Sequence, residues 1–140
     1  MSTFMSQTYS NILHNRAAKW NLPVPADRPL IDDDTSPYPC LTVAETLRWD
    51  SKRSAYHWVE ISLVTLNNQW SYTAFFILPD GGMGWGPSLK FCDPFPTRTA
   101  ALAAACELLR RNAGYLTNEI SPWLNDLTTP RQFNLFEETV

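Results

Sequence analysis

The sequence predicts an α+β fold: an antiparallel three- to four-stranded sheet with a helix packed on one face, plus short N- and C-terminal helices. Three observations carry this. Residues 57–66 and 69–78 both alternate with period two and are separated by Asn67-Asn68. Residues 98–112 then change to a helical period, rich in Ala and Leu. Finally, a chain of 140 residues with six Trp, five Tyr and seven Phe, and only 18% charged residues, has the means to bury a core as a single domain. Disordered chains are aromatic-poor and charge-rich instead.

Taken in order, residues 1–22 hold the first helix. In "TYSNILHNRAAKW", Tyr9, Ile12, Leu13, Ala17 and Trp20 share one face at helical spacing. Residues 23–45 follow as a connection with five prolines between Pro23 and Pro39. Proline lacks a backbone donor and pushes its predecessor out of the helical region, so this stretch is extended. It reads either as a binding arm or as a strap over the core.

The sheet-and-helix core is expected over 46–114. "TLRWD", containing Trp49, is its first strand. In "HWVEISLVTL", Val59, Ile61, Leu63 and Thr65 point one way, and Trp58, Glu60, Ser62 and Val64 the other. "QWSYTAFFIL" places Trp70, Tyr72, Ala74 and Phe76 together. Asn tolerates the positive φ of a two-residue hairpin. Such a turn sets Leu66 against Gln69 and Ile61 against Ala74, which joins the two apolar sides on one face. "GGMGWG" (81–86) then predicts a flexible loop with Trp85 exposed at its tip, and Leu89–Cys92 a short further strand. Thr97 is placed to cap the long helix, with Ala101, Ala105, Leu108 and Leu109 on its inner face. Arg110 and Arg111 sit in its last turn, and Gly114 ends it. "SPWLNDL" begins a short helix over 121–128 with Ser121 at the cap and Pro122 in first position. Residues 129–140 are a tail.

Composition limits function. A net charge of −3 disfavours direct nucleic-acid binding, which calls for a basic patch. No apolar run is long enough for a membrane span, and the N-terminus lacks a signal-peptide pattern, so no membrane association is expected. Cys40, Cys92 and Cys106 are an odd, widely spaced set, which reads as free thiols in a reducing cytoplasm.

No motif names a reaction. The glycine run lacks the Lys-Ser/Thr ending of a phosphate loop and no helix starts directly after it. A calcium loop begun at Asp34 would place Glu45 twelfth, but Pro39 stands where Gly is required. With only His14 and His57 and no paired cysteines, no metal site and no cofactor is expected. Cys106, mid-helix among alanines, reads as a core residue. The catalytic set is therefore empty, and partner binding is expected of Trp85 and the tail, Gln132, Phe133, Leu135 and Phe136.

That tail, Gln132-Phe133-Asn134-Leu135-Phe136, resembles the pentapeptide by which many bacterial proteins bind the DNA polymerase sliding clamp. Gln132, Leu135 and Phe136 match the pattern; Phe133 and Asn134 depart from it. The resemblance implies Leu135 and Phe136 in an apolar pocket with Gln132 hydrogen-bonding at its rim. Alternatively, Phe133 and Phe136 pin the C-terminus to the sheet. Residues 58–111, with "GWGPS" and "PFPTRTAALAAACELLRR", resemble a hairpin-plus-helix module of phage and plasmid proteins, found beside phage DNA methylases and ParB-like proteins. This implies a mobile-element origin. The expectation is a non-catalytic phage or plasmid interaction protein that engages a host complex, the sliding clamp or a defence effector. Alternatives are an anti-CRISPR or anti-restriction inhibitor, a small Cys/His enzyme, and a DNA-binding module using Lys90, Arg98, Arg110 and Arg111.

Overall fold

The computed structural model describes residues 15–23 and 39–129. Four strands form one antiparallel sheet in sequence order: β1 (Thr42–Asp50), β2 (Trp58–Leu66), β3 (Gln69–Leu78) and β4 (Gly81–Gly84). Residues 15–19 are helical (α1). Helix α2 (Arg98–Asn112) follows the sheet, and a single 3-10 turn (Gly114–Leu116) leads into α3 (Thr117–Thr128). The α+β architecture is as the alternation predicted. Among the described residues, no helix is long and apolar enough to cross a membrane.

The central hairpin has the expected register. Leu66 pairs with Gln69, Ile61 with Ala74 and Val59 with Phe76. Asn67 and Asn68 take φ of 53° and 61°, the left-handed pair that a two-residue turn of the primed type needs. Val59, Ile61, Leu63, Ala74 and Phe76 consequently share a face, and Ala101, Leu102, Ala105, Cys106 and Leu109 of α2 cover it. The alanines bring the helix close, and Ile120 and Leu124 of α3 complete this core. Thr97 caps α2 by accepting from the Ala100 N–H at 3.1 Å.

A second core lies on the opposite face, at the hairpin end of the sheet. Val64 turns away from its neighbours and packs with Ala17, Trp20, Leu41, Leu89 and Cys92. Trp20 is fully buried, and its Nε1–H donates to the Cys92 carbonyl at 3.1 Å. Helix α1 ends there with Asn21 at φ 60°. The Asn21 and Leu22 N–H groups bond back to Ala18 and Ala17, the pattern of a left-handed helix stop. Of the expected 8–20 helix, residues 8–14 lie outside the described residues.

Four expectations are corrected. β1 starts at Thr42, so the connection expected over 23–45 ends earlier, and Trp49 lies near the end of this strand. The glycine run holds β4. It pairs with β3 because Gly84 leaves room for the Phe75 ring, which a Cβ there would strike. Residues Leu89–Phe91 form a turn, with the Phe91 and Cys92 N–H groups both donating to the Ser88 carbonyl at 3.1 Å. This turn is what carries Leu89 and Cys92 into the second core. Lastly, α3 begins at Thr117, with Ser121 and Pro122 inside it. Ser121 Oγ–H donates to the Thr117 carbonyl at 2.6 Å and caps nothing. Pro122 is exposed in the helix's second turn, where its ring meets solvent.

Candidate functional site

The β1–β2 loop and the turn after α2 meet at one corner of the molecule. Ser51 organises the loop. Its Oγ accepts from the Arg53 and Ser54 N–H groups, both at 3.1 Å, and donates to Glu119 Oε1 at 2.9 Å. The Lys52 N–H donates to Glu119 Oε2 at 2.8 Å. Burial pushes the Glu119 carboxyl up. Hydrogen bonds from Lys52, Ser51 and Arg53, with the Arg53 charge, outweigh this and hold it below its ordinary value.

On this frame three rings stand in a row. Tyr56 and His57 meet edge to face at 5.6 Å between centroids, and His57 and Tyr115 at 6.0 Å. Arg53 lies over Tyr115, its Cζ 5.7 Å from the ring centre. His57 Nδ1 shares a hydrogen bond with Ser54 Oγ at 3.0 Å. Tyr56 is 71% exposed and Tyr115 60%. Gly114, at φ +55°, turns the chain so that Tyr115 faces outward while Leu116 is fully buried. A Cβ on Gly114 would come within 2.9 Å of Pro79 Cβ.

The open face of the sheet is differently made. Arg48 lies over Trp58 at 4.7 Å and pairs with Asp50 at 3.0 Å and Glu60 at 3.6 Å. Its hydrogen bond to Asp50 raises the guanidinium pKa, and the same bond lowers that of Asp50. The patch holds one cation against two carboxylates, a net charge of −1.

Trp85 is not at an exposed tip. It is half-buried, packs against both cores, and meets Tyr72 at 5.6 Å and 64°. Its backbone N–H continues the β3 edge by donating to the Ala74 carbonyl at 3.3 Å. The indole Nε1 is buried without a hydrogen-bond partner. It lies close enough to Cys92 to favour a thiolate there, although no bond of proper geometry forms. Gln132, Phe133, Leu135 and Phe136 lie outside the described residues.

The remaining candidates separate in space. Burial raises the pKa of both Cys92 and Cys106, which keeps the thiols protonated. His57 is engaged with Tyr56, Tyr115 and Ser54 rather than with a thiol. No cluster of His, Cys, Asp and Glu suited to a metal occurs among the described residues. Arg98 and Arg110 are separated by roughly 18 Å of helix. Arg98 is tied to Glu45, and Arg110 donates to Asn125 Oδ1 at 3.0 Å. Of the four residues expected on a basic face, Arg98 and Arg110 thus lie toward opposite ends of α2, each with a partner of its own.

Sequence reading missed the Tyr56–His57–Tyr115 row. The available signal was a tyrosine directly after a helix-ending glycine, a position that the turn presents to solvent. No family model, curated protein sequence or solved structure matches the chain.

Proposed function

We propose that this is a non-catalytic interaction protein of phage or plasmid type, acting in the bacterial cytoplasm on a host nucleic-acid-processing or defence machine. The observation that carries the reading is the exposed corner of Tyr56, His57, Tyr115 and Arg53. Tyr and Arg dominate the energetics of protein interfaces because they combine large contact area with directional polar tips. Here they sit on a hydrogen-bonded frame that limits the ordering cost of binding. The two buried, protonated thiols support the same reading over a cysteine nucleophile. The C-terminal pentapeptide is the proposed tether to the sliding clamp, with the corner as a separate docking contact.

Two measurements test this: direct binding to purified bacterial sliding clamp, and affinity capture from lysate with identification of partners. Truncation after Thr129 should abolish clamp binding and leave the melting temperature unchanged. The double change Tyr56→Ala and Tyr115→Ala should spare clamp binding and remove a second captured partner. If the truncation lowers the melting temperature by several degrees while clamp binding persists, the tail is a strap on the core. If capture survives both changes, the docking reading is wrong.

A further inference from the structure

Beside Trp85, between β3 and the 89–95 segment, lies a recess of about 70 Å³ lined by Ser71, Tyr72, Trp85, Phe91, Asp93 and Phe95. We propose that it receives the edge of a nucleobase, with the phosphate of that nucleotide on the side of Arg16 and Lys19. The site is separate from the ring corner and does not depend on the docking reading.

The walls favour a flat ligand. Tyr72 stands in the centre, with Trp85 at 64° on one side and Phe95 at 6.4 Å and 36° on another. Phe91 is 60% exposed, which leaves one large ring in water beside the opening. Bases stack on such rings with little sequence preference, because every base has a π-face. The volume holds an edge and not a whole nucleotide. The Trp85 Nε1–H is itself shielded and lies beside Cys92, so the polar side chains that the recess offers a base edge include those of Ser71 and Asp93. At the rim, Asp93 is an acceptor whose two ion pairs both use Oδ1.

Charge separates the possible ligand classes. Arg16 and Lys19 reach Asp93 at 2.7 and 3.6 Å, and Arg111 lies within electrostatic reach of Tyr72. Against these stand Asp93 and Glu107. At the rim, Arg16 and Lys19 set two cations against the one carboxylate of Asp93, although the whole chain carries −3. An organic cation would enter the aromatic box beside the two cations of Arg16 and Lys19, which already share Asp93. A purely apolar group would leave the polar atoms of the rim unused. An anion joined to a flat heteroaromatic ring uses both features. Nucleotides have that chemistry, whether free or within a single strand.

The test follows the tryptophan indole N–H signals of the full chain by NMR, with Trp85 assigned from Trp85→Phe. Probes are a short oligothymidylate, AMP, ribose 5-phosphate and choline. A saturable shift of the Trp85 signal with the oligonucleotide or AMP is expected. It should weaken with salt and fall about tenfold in Phe91→Ala and in Lys19→Glu, which remove stacking and charge respectively. Both residues are more than half exposed, and melting curves check that the variants fold. Response to the oligonucleotide alone assigns the site to single strands; response to AMP as well assigns it to the nucleotide unit. An equal shift with ribose 5-phosphate, a shift with choline only, no shift, or indifference to both substitutions would overturn the proposal.

Discussion

Ile61 shows how much rests on single positions. It is fully buried between the hairpin and α2. Ile61→Asp would place an unpaired charge there, with an expected loss of about 4 kcal/mol or more, comparable to the whole stability of a small domain. Urea melts measure it. Glu119 gives a pH signature. Its folded pKa lies below the ordinary carboxyl value of 4.5, so its contribution is present above that value and lost as pH falls through the folded pKa. At neutral pH, Glu119→Gln should therefore melt below the wild type. The gap should close as both are taken into the acid range below pH 4.5, which paired thermal melts would record. The protection of the Lys52 amide from hydrogen exchange, taken relative to its intrinsic rate at each pH, should fall over the same range.

Elements defined by a repeating pattern were legible, and those defined by a change of face were not. The β2–β3 hairpin could be read to the residue because period-two alternation and a two-residue Asn-Asn turn constrain each other. Helix α2 was legible from Thr97 to Gly114 because cap, period and stop agree. The 89–92 turn was misread because Leu89 and Cys92 are apolar for a tertiary reason, the second core, which no local period encodes. β4 was read as loop because glycine has low strand propensity, and only the Phe75 ring over Gly84 explains its use. The ring corner was illegible as a unit, since its members come from a loop and a turn some sixty residues apart in sequence. The hairpin offers its own test. Asn67 Nδ2–H donates to the Trp20 carbonyl at 2.9 Å, whereas Asn68 supplies only its φ. Asn68→Gly should then be neutral or stabilising by a few tenths of a kcal/mol, and Asn67→Gly destabilising by about 1 kcal/mol. Melting curves of the two variants should move in different directions or by different amounts.

At the scale of the whole molecule, the sheet is held from both sides by unequal cores. The larger lies under α2 and α3; the smaller is closed by Trp20. Trp20→Ala should open only the second. Cys40 is exposed, Cys92 belongs to the second core and Cys106 to the first, so the thiols report on each region. Wild type should show one fast-reacting thiol with a chromogenic disulfide reagent and the variant two, with Cys106 slow in both. Simultaneous release of all three would mean that the cores unfold as one. The strand order adds a consequence in time. Every strand of the sheet pairs with its neighbour in the chain, so these ladders close short loops and assemble early. The bond from Trp20 to the Cys92 carbonyl spans 72 residues and closes a loop that contains the entire sheet. Its second core is the last region to form during refolding, and the protection of Cys92 from a thiol pulse marks the end of the pathway.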